Sequence, residues 1–362
     1  RKNSATPQHI QASSAGPPTW HDGAMPQGPD ALKHLAPNWF AIVMGLTGLA
    51  LAWGRAAPIL GDLAGAGALV LAGIAALAFV ALAVLSWIRW QHYPEALAAD
   101  LKHPVRHAFI ATVPVSIILL ATVAVSLLGT HAWIAALWWL GSLLQFGVTL
   151  WALARWLNAD KTQGLSWAAL TPALLIPVVG NVLAPLAGVP LGAGAWSAAQ
   201  FGLGVLLWPV LLALLFARIA VQGLWAERLL PTTFITIAPP AVIGASTLQL
   251  GGPALLAWMC WGVALFFLLW SLQILRRMLA QPFSIGFWSM GFPLAAFATL
   301  SLRLAAQHEA AQAPAMIALA LASLVIALLA ISTWKGWREG SLLQPEPVAM
   351  LATGNAQPPP PR

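Results

Sequence analysis

The chain has 362 residues, 60% of them hydrophobic and 7% charged, with a mean hydropathy of +0.80 and a net charge of +7. Water-soluble domains carry roughly 25% charged residues, so this composition excludes a fold that covers its whole surface with polar side chains. The single cysteine, Cys260, excludes an internal disulfide and any cysteine-based metal cluster, and reads as a small lipid- or core-facing residue.

Residues 1–36 are polar and rich in Pro, Gly and Ser, lack the apolar core of a secretory signal, and read as a disordered cytoplasmic tail. Ten apolar segments of membrane-spanning length follow, at 39–57, 66–88, 108–128, 133–156, 167–189, 196–220, 232–250, 254–275, 284–306 and 314–334. They define a transmembrane domain over residues 37–336. A second cytoplasmic tail runs from 337 to 362 and ends in QPPPPR.

The prolines alternate along this series. The third segment holds Pro114, the fifth Pro177 and Pro185, the seventh Pro239 and Pro240, and the ninth Pro293, whereas among even segments only the sixth has one well inside, Pro209. Proline removes a backbone donor and clashes with the preceding turn. In lipid that is tolerated where neighbouring helices or a water-filled cavity satisfy the freed carbonyls. The pattern predicts an all-α membrane protein of ten helices in five hairpins, with proline-kinked odd helices around a central pore and straighter even helices outside.

Orientation follows from the basic residues. With the N-terminus inside, Arg1, Lys2, Lys33, Arg89, Lys102, Arg106, Arg155, Lys161, Arg218, Arg228, Arg276, Arg277, Lys335, Arg338 and Arg362 fall on the inner side, and Arg55 and Arg303 on the outer. That division, 15 to 2 of the 17 lysines and arginines, places both termini in the cytoplasm of a multi-pass protein of the inner (plasma) membrane.

The spans carry no acidic residue at mid-depth, where a coupled pump usually needs one. The odd helices offer hydroxyls instead, and Ser116, Thr236, Ser289 and Thr299 are the candidate pore-lining groups. Each taken alone reads as bonding back to its own helix; the set, on proline-bearing helices, reads as a path that solvates an anion weakly. Gly291 and Pro293 flank Phe292, whose ring is either an apolar plug or a packed side chain, the second reading being the default from pattern. His103 and His107, four apart around Pro104, lack a third ligand and read as an interfacial pair rather than a metal site. Arg55, Arg303 and Glu309 lie near the outer face, as vestibule or interfacial anchors. No phosphate loop, nucleophile elbow or dinucleotide fingerprint is present. The pattern points to no enzyme, cofactor, metal or nucleic-acid partner.

Four stretches carry a family resemblance: HLAPNWFAIVMGLTGLALAW (34–53), LKHPVRHAFIATVPVSIILLA (101–121), LLPTTFITIAPPAVIGAS (229–246) and QPFSIGFWSMGFPLAAFATLSL (281–302). They resemble the first, third, seventh and ninth helices of the tellurite-resistance/dicarboxylate transporter family, which includes bacterial tellurite-resistance proteins and the plant slow-type anion channels. The first helix has APNW where relatives often carry PAGYF-like sequences. The resemblance implies ten helices in five hairpins, a pore from the odd helices, a gating phenylalanine at Phe292 and a homotrimer with one pore per subunit. It also implies small-anion substrates: chloride, nitrate, sulfite, or C4-dicarboxylates such as malate. The expected function is an anion channel or uniporter. The alternatives are a proton-linked dicarboxylate or sulfite exporter conferring tellurite resistance, and an intramembrane enzyme, against which the lack of any buried acid or histidine cluster counts.

Overall fold

The computed structural model describes residues 29–158, 165–306 and 308–344; among them it is helical and contains no strand. Ten apolar helices succeed one another: α1 (Ala41–Arg55), α2 (Asp62–His92), α3 (Arg106–Leu128), α4 (Ala132–Trp156), α5 (Pro172–Gly188), α6 (Gly194–Gln222), α7 (Glu227–Gln249), α8 (Ala254–Gln273), α9 (Ile285–Ala305) and α10 (Glu309–Arg338). Eight of them, all but α1 and α5, are long and apolar enough to cross a membrane.

The expected disordered tails lie mostly outside the described residues, but their inner edges do not behave as tails. Pro29–His34 forms a 3₁₀ turn, Leu35 is buried, and at the other end Leu342 packs over Gly336. A helix at Pro94–Lys102, not foreseen in the sequence, bridges α2 and α3.

Burial separates the two sets of helices. In α3, α7 and α9 between 72% and 94% of the apolar window is buried, while in α2, α4, α6, α8 and α10 the share is 17–33%. The even helices turn Leu, Val, Ile, Phe and Trp side chains outward, among them Leu77, Leu150, Leu206, Leu269 and Ile331. Such surface is stable only against lipid or another apolar face. Each even helix packs on the odd helix before it, and the odd helices touch in succession, α1 on α3, α3 on α5, α5 on α7, α7 on α9, and α9 back on α1. Glycine permits the closest of these approaches: a Cβ at Gly291 of α9 would stand 3.3 Å from the Gly45 Cα of α1. Small residues take the place of a hydrophobic driving force when helices pack inside a membrane.

At one end of the bundle the polar groups knit the chain together. Asp100 binds Arg89 (2.6 Å) and Arg106 (3.1 Å), Arg89 Nε also donates to the Lys33 carbonyl (3.1 Å), and Arg155 donates to the Lys102 carbonyl (2.8 Å). Arg277 pairs with Glu227 at the foot of α7. All these basic residues are ones that the charge sorting puts on the inner side.

Candidate functional site

The odd helices share a local design that explains their prolines. α3 opens with a 3₁₀ stretch at Arg106–Ala111, α7 with one at Glu227–Ile237 and α9 with one at Ile285–Met290, and α1 follows a 3₁₀ turn at Pro37–Phe40. α5 alternates, with 3₁₀ turns at Pro172–Leu174 and Gly180–Leu183 and α-helical turns at Leu175–Val179 and Ala184–Gly188. Pro114, Pro177, Pro185, Pro239, Pro240 and Pro293 all fall in the first turn of an α-helical stretch. A residue there has no intrahelical acceptor for its N–H, so proline is accommodated. The prolines therefore mark the change from 3₁₀ to α rather than kinks inside a continuous α-helix.

These junctions surround a cavity that all five odd helices line. α1 supplies Ala41 and Met44, α3 Phe109, Thr112 and Val115, and α7 Ile235, Ala238, Pro239 and Val242. α5 supplies Leu175, Ile176, Val179, Gly180 and Leu183, and α9 supplies Trp288, Ser289, Phe292 and Pro293. No charged side chain lines it, and its hydroxyls are two. Thr112 directs its O–H to the carbonyls of Pro37 (2.8 Å) and Phe109 (2.7 Å). Ser289, which reaches the cavity, has no hydrogen-bond partner among the described residues.

Phe292 is 7% exposed, and its ring packs where a side chain on Gly48 would otherwise sit: a Cβ there would lie 3.0 Å from Phe292 Cδ2. Of the other residues singled out from sequence, Pro239, Pro293 and Ser289 line the cavity. Pro114, Pro177, Pro185 and Pro240, expected to line the pore, are not among its lining residues. Ser116 is fully buried and donates to Thr112 O (2.7 Å) and Phe40 O (3.3 Å). Thr236 donates to Thr233 O (2.7 Å), and Thr299, farther along α9, to Ala295 O (2.9 Å).

A polar network not foreseen in the sequence supports the broken helix α5. From α4, Gln145 Nε2 (2.7 Å) and Thr149 Oγ1 (2.6 Å) both donate to the Pro177 carbonyl. Asn181 of α5 donates to Thr149 (2.7 Å) and accepts from Gln200 of α6 (3.2 Å), which in turn bonds Ser142 of α4. The amide N–H groups find acceptors here because the interrupted helix leaves carbonyls free, while Gln145 Oε1 is buried without a partner among the described residues.

The histidine pair serves the start of α3. His103 Nδ1 accepts from the backbone N–H groups of Val105 and Arg106, both at 3.1 Å. Burial, aided by the charge of Arg106, pulls its pKa from 6.5 down to about 4. His107 Nε2 accepts from Trp156 Nε1 (2.7 Å), and since an indole only donates, the proton sits on Nδ1, facing the His103 carbonyl (2.9 Å). Among the described residues no three His, Cys, Asp or Glu side chains form a metal-binding group.

The sequence matches the family model described as voltage-dependent anion channel (SLAC1) over residues 34–334. An uncharacterized transporter of Methanocaldococcus jannaschii is 28% identical, the match covering 75% of this chain and 84% of the relative. A tellurite resistance protein TehA homolog of Haemophilus influenzae is 26% identical, over 73% of this chain and 79% of its own. A sulfite efflux pump of Trichophyton rubrum is 24% identical, over 76% and 83%.

Proposed function

The chain belongs to the SLAC1 family of voltage-dependent anion channels, and from that premise we propose that it passes small anions through a central pore closed by Phe292. Flux is passive, as in a channel or uniporter. The substrates are chloride, nitrate, sulfite and C4-dicarboxylates such as malate. The protein works as a homotrimer in the inner (plasma) membrane, with both termini in the cytoplasm and one pore per subunit.

The observation that carries this reading is the cavity to which all five odd helices contribute, with Phe292 and one unpartnered hydroxyl, Ser289, in its wall. An uncharged, mostly apolar lining binds an anion weakly enough to release it. In the proposed arrangement all ten helices span, as five hairpins with the odd members inside. The two shorter ones reach far enough because 3₁₀ turns rise more steeply. The fifteen residues of α1 and the four of the 3₁₀ turn before it, at 1.5 and 2.0 Å each, extend about 30 Å, the thickness of the hydrocarbon core. The mixed turns of α5 give about 29 Å by the same count.

The sulfite efflux pumps among the relatives favour a second reading, sulfite or dicarboxylate export driven by a proton gradient. It ranks behind the first because no titratable side chain lines the cavity. Flux of chloride, nitrate, sulfite and malate into proteoliposomes, with and without a pH gradient, separates the two. Passive conduction requires flux that follows the anion gradient alone. Flux that appears only with a pH gradient establishes the second reading, and absence of flux for all four overturns both.

A further inference from the structure

We infer that Arg303, with Arg55 beside it, forms an anion-binding site at the outer mouth of the path, suited to a small planar oxyanion such as nitrate. The inference rests on the proposed anion pathway but concerns a separate place in it.

Phe292 lines the cavity, and Arg303 lies eleven residues further along α9, which in an α-helix returns to within about 20° of the same face, roughly 16 Å up the axis. Met44 of α1 also lines the cavity, and Arg55 lies eleven residues beyond it, in the same relation. The register of the two helices is fixed by Gly45 against Gly291 and by Gly48 against Phe292 and Ala295. Carried forward, it brings the two arginines to one level. Both therefore stand above Phe292 on the faces that line the cavity below.

Neither is neutralised. Among the described residues neither Arg55 nor Arg303 makes an ion pair, and the acids of that end, Asp62 and Glu309, are exposed. Arg303 is half-buried and anchored by neutral oxygens, donating to Ala245 O (2.8 Å) and Gln249 Oε1 (2.9 Å), while its Nε is buried without a partner. Two of the five guanidinium N–H groups are thus occupied; with the Nε–H enclosed, one N–H on each terminal nitrogen is left for a ligand. A desolvated cation held only by neutral acceptors lacks its counter-charge, and a guanidinium presents planar oxyanions with a matching fork of donors. Arg55 is exposed and its side chain makes no hydrogen bond among the described residues, so it adds field without holding the fold.

The test titrates the purified full-length protein with sodium nitrate against sodium gluconate at constant ionic strength, reading the melting temperature. A ligand that binds the folded state raises it by mass action. Nitrate is expected to stabilise wild type, and R303Q to raise the half-saturating nitrate concentration at least tenfold, about 1.4 kcal/mol. R303K is expected to keep part of the response and lose the preference for nitrate over chloride, and R55Q to weaken binding several-fold. A wild-type nitrate response in R303Q overturns the site. Should R303Q fail to fold, a wild-type response in both R303K and R55Q overturns it equally. Because this readout needs no transport, nitrate binding at Arg303 without flux would reject the pathway and keep the site. Flux with an unaltered nitrate response in R303Q would do the reverse.

Discussion

Gly180→Ala isolates the contact on which the broken helix α5 depends. Gly180 has ordinary right-handed helical backbone, φ −52° and ψ −28°, so by propensity alone alanine gains about 1 kcal/mol over glycine. The new methyl would nevertheless stand 2.4 Å from Gln145 Cδ and 2.5 Å from its Nε2. The amide must then leave the Pro177 carbonyl, which Thr149 (2.6 Å) and, at 3.4 Å, Asn181 Nδ2 would still hold. Overpacking costs about 1–3 kcal/mol and the lost hydrogen bond about 1 kcal/mol, for a net loss of about 1–3 kcal/mol once the propensity gain is subtracted. The assay is thermal denaturation of the purified protein for G180A, Q145A and the double variant. Removing the Gln145 side chain makes room for the methyl, so the double variant should be more stable than the two single losses summed, by about 1 kcal/mol or more. A G180A protein as stable as wild type, or strictly additive losses, would refute the reasoning.

Two further outcomes follow from the geometry. In a Cys260→Ser background, Ser289→Cys should make anion flux sensitive to small water-soluble thiol reagents, whereas Ser116→Cys and Thr236→Cys should not; sensitivity at Ser116 without sensitivity at Ser289 would show that another face lines the path. His103 is neutral in the fold because its folded pKa, about 4, lies below the ordinary 6.5, so between those values the unfolded chain binds more protons and stability falls as pH drops. His103→Gln should flatten that part of the melting-temperature profile relative to wild type, and an unchanged slope between pH 6.5 and 4 would contradict the cap that Nδ1 provides.

Much of the architecture was legible because it follows from one-dimensional signals. The long spans α2 and α10 are runs of apolar residues, and the odd helices were marked by Pro114, Pro177, Pro239 and Pro293. Which hydroxyl reaches the cavity was not legible, for a geometric reason. The 3₁₀ stretch of α7 runs eleven residues, Glu227–Ile237, and each 3₁₀ residue turns about 20° further than an α-helical one. Adjacent 3₁₀ residues point about 120° apart and the sequence does not mark where 3₁₀ gives way to α, so it did not show that Ile235 rather than Thr236 is in the wall. In α9 the corresponding stretch is six residues, and Ser289 is in the wall. The network of Gln145, Thr149, Asn181 and Gln200 was missed because its members lie on three helices and look unremarkable singly. The available signal was the two glutamines themselves, whose amides are expensive in an apolar span without a partner. The Arg89–Asp100–Arg106 cluster depends on the helix at Pro94–Lys102, whose alanine-rich pattern is too short to stand out from a loop.

The most direct measurement is chloride flux through purified Phe292→Ala in proteoliposomes, beside the melting temperature of the same preparation. A ring that closes the path gives way to a methyl group, so a gate requires flux well above wild type in a protein that still folds. A ring that only fills the space over Gly48 leaves a cavity instead, which in soluble cores costs about 3–5 kcal/mol and opens nothing. Flux at or below wild type together with a marked loss of stability would contradict the gate.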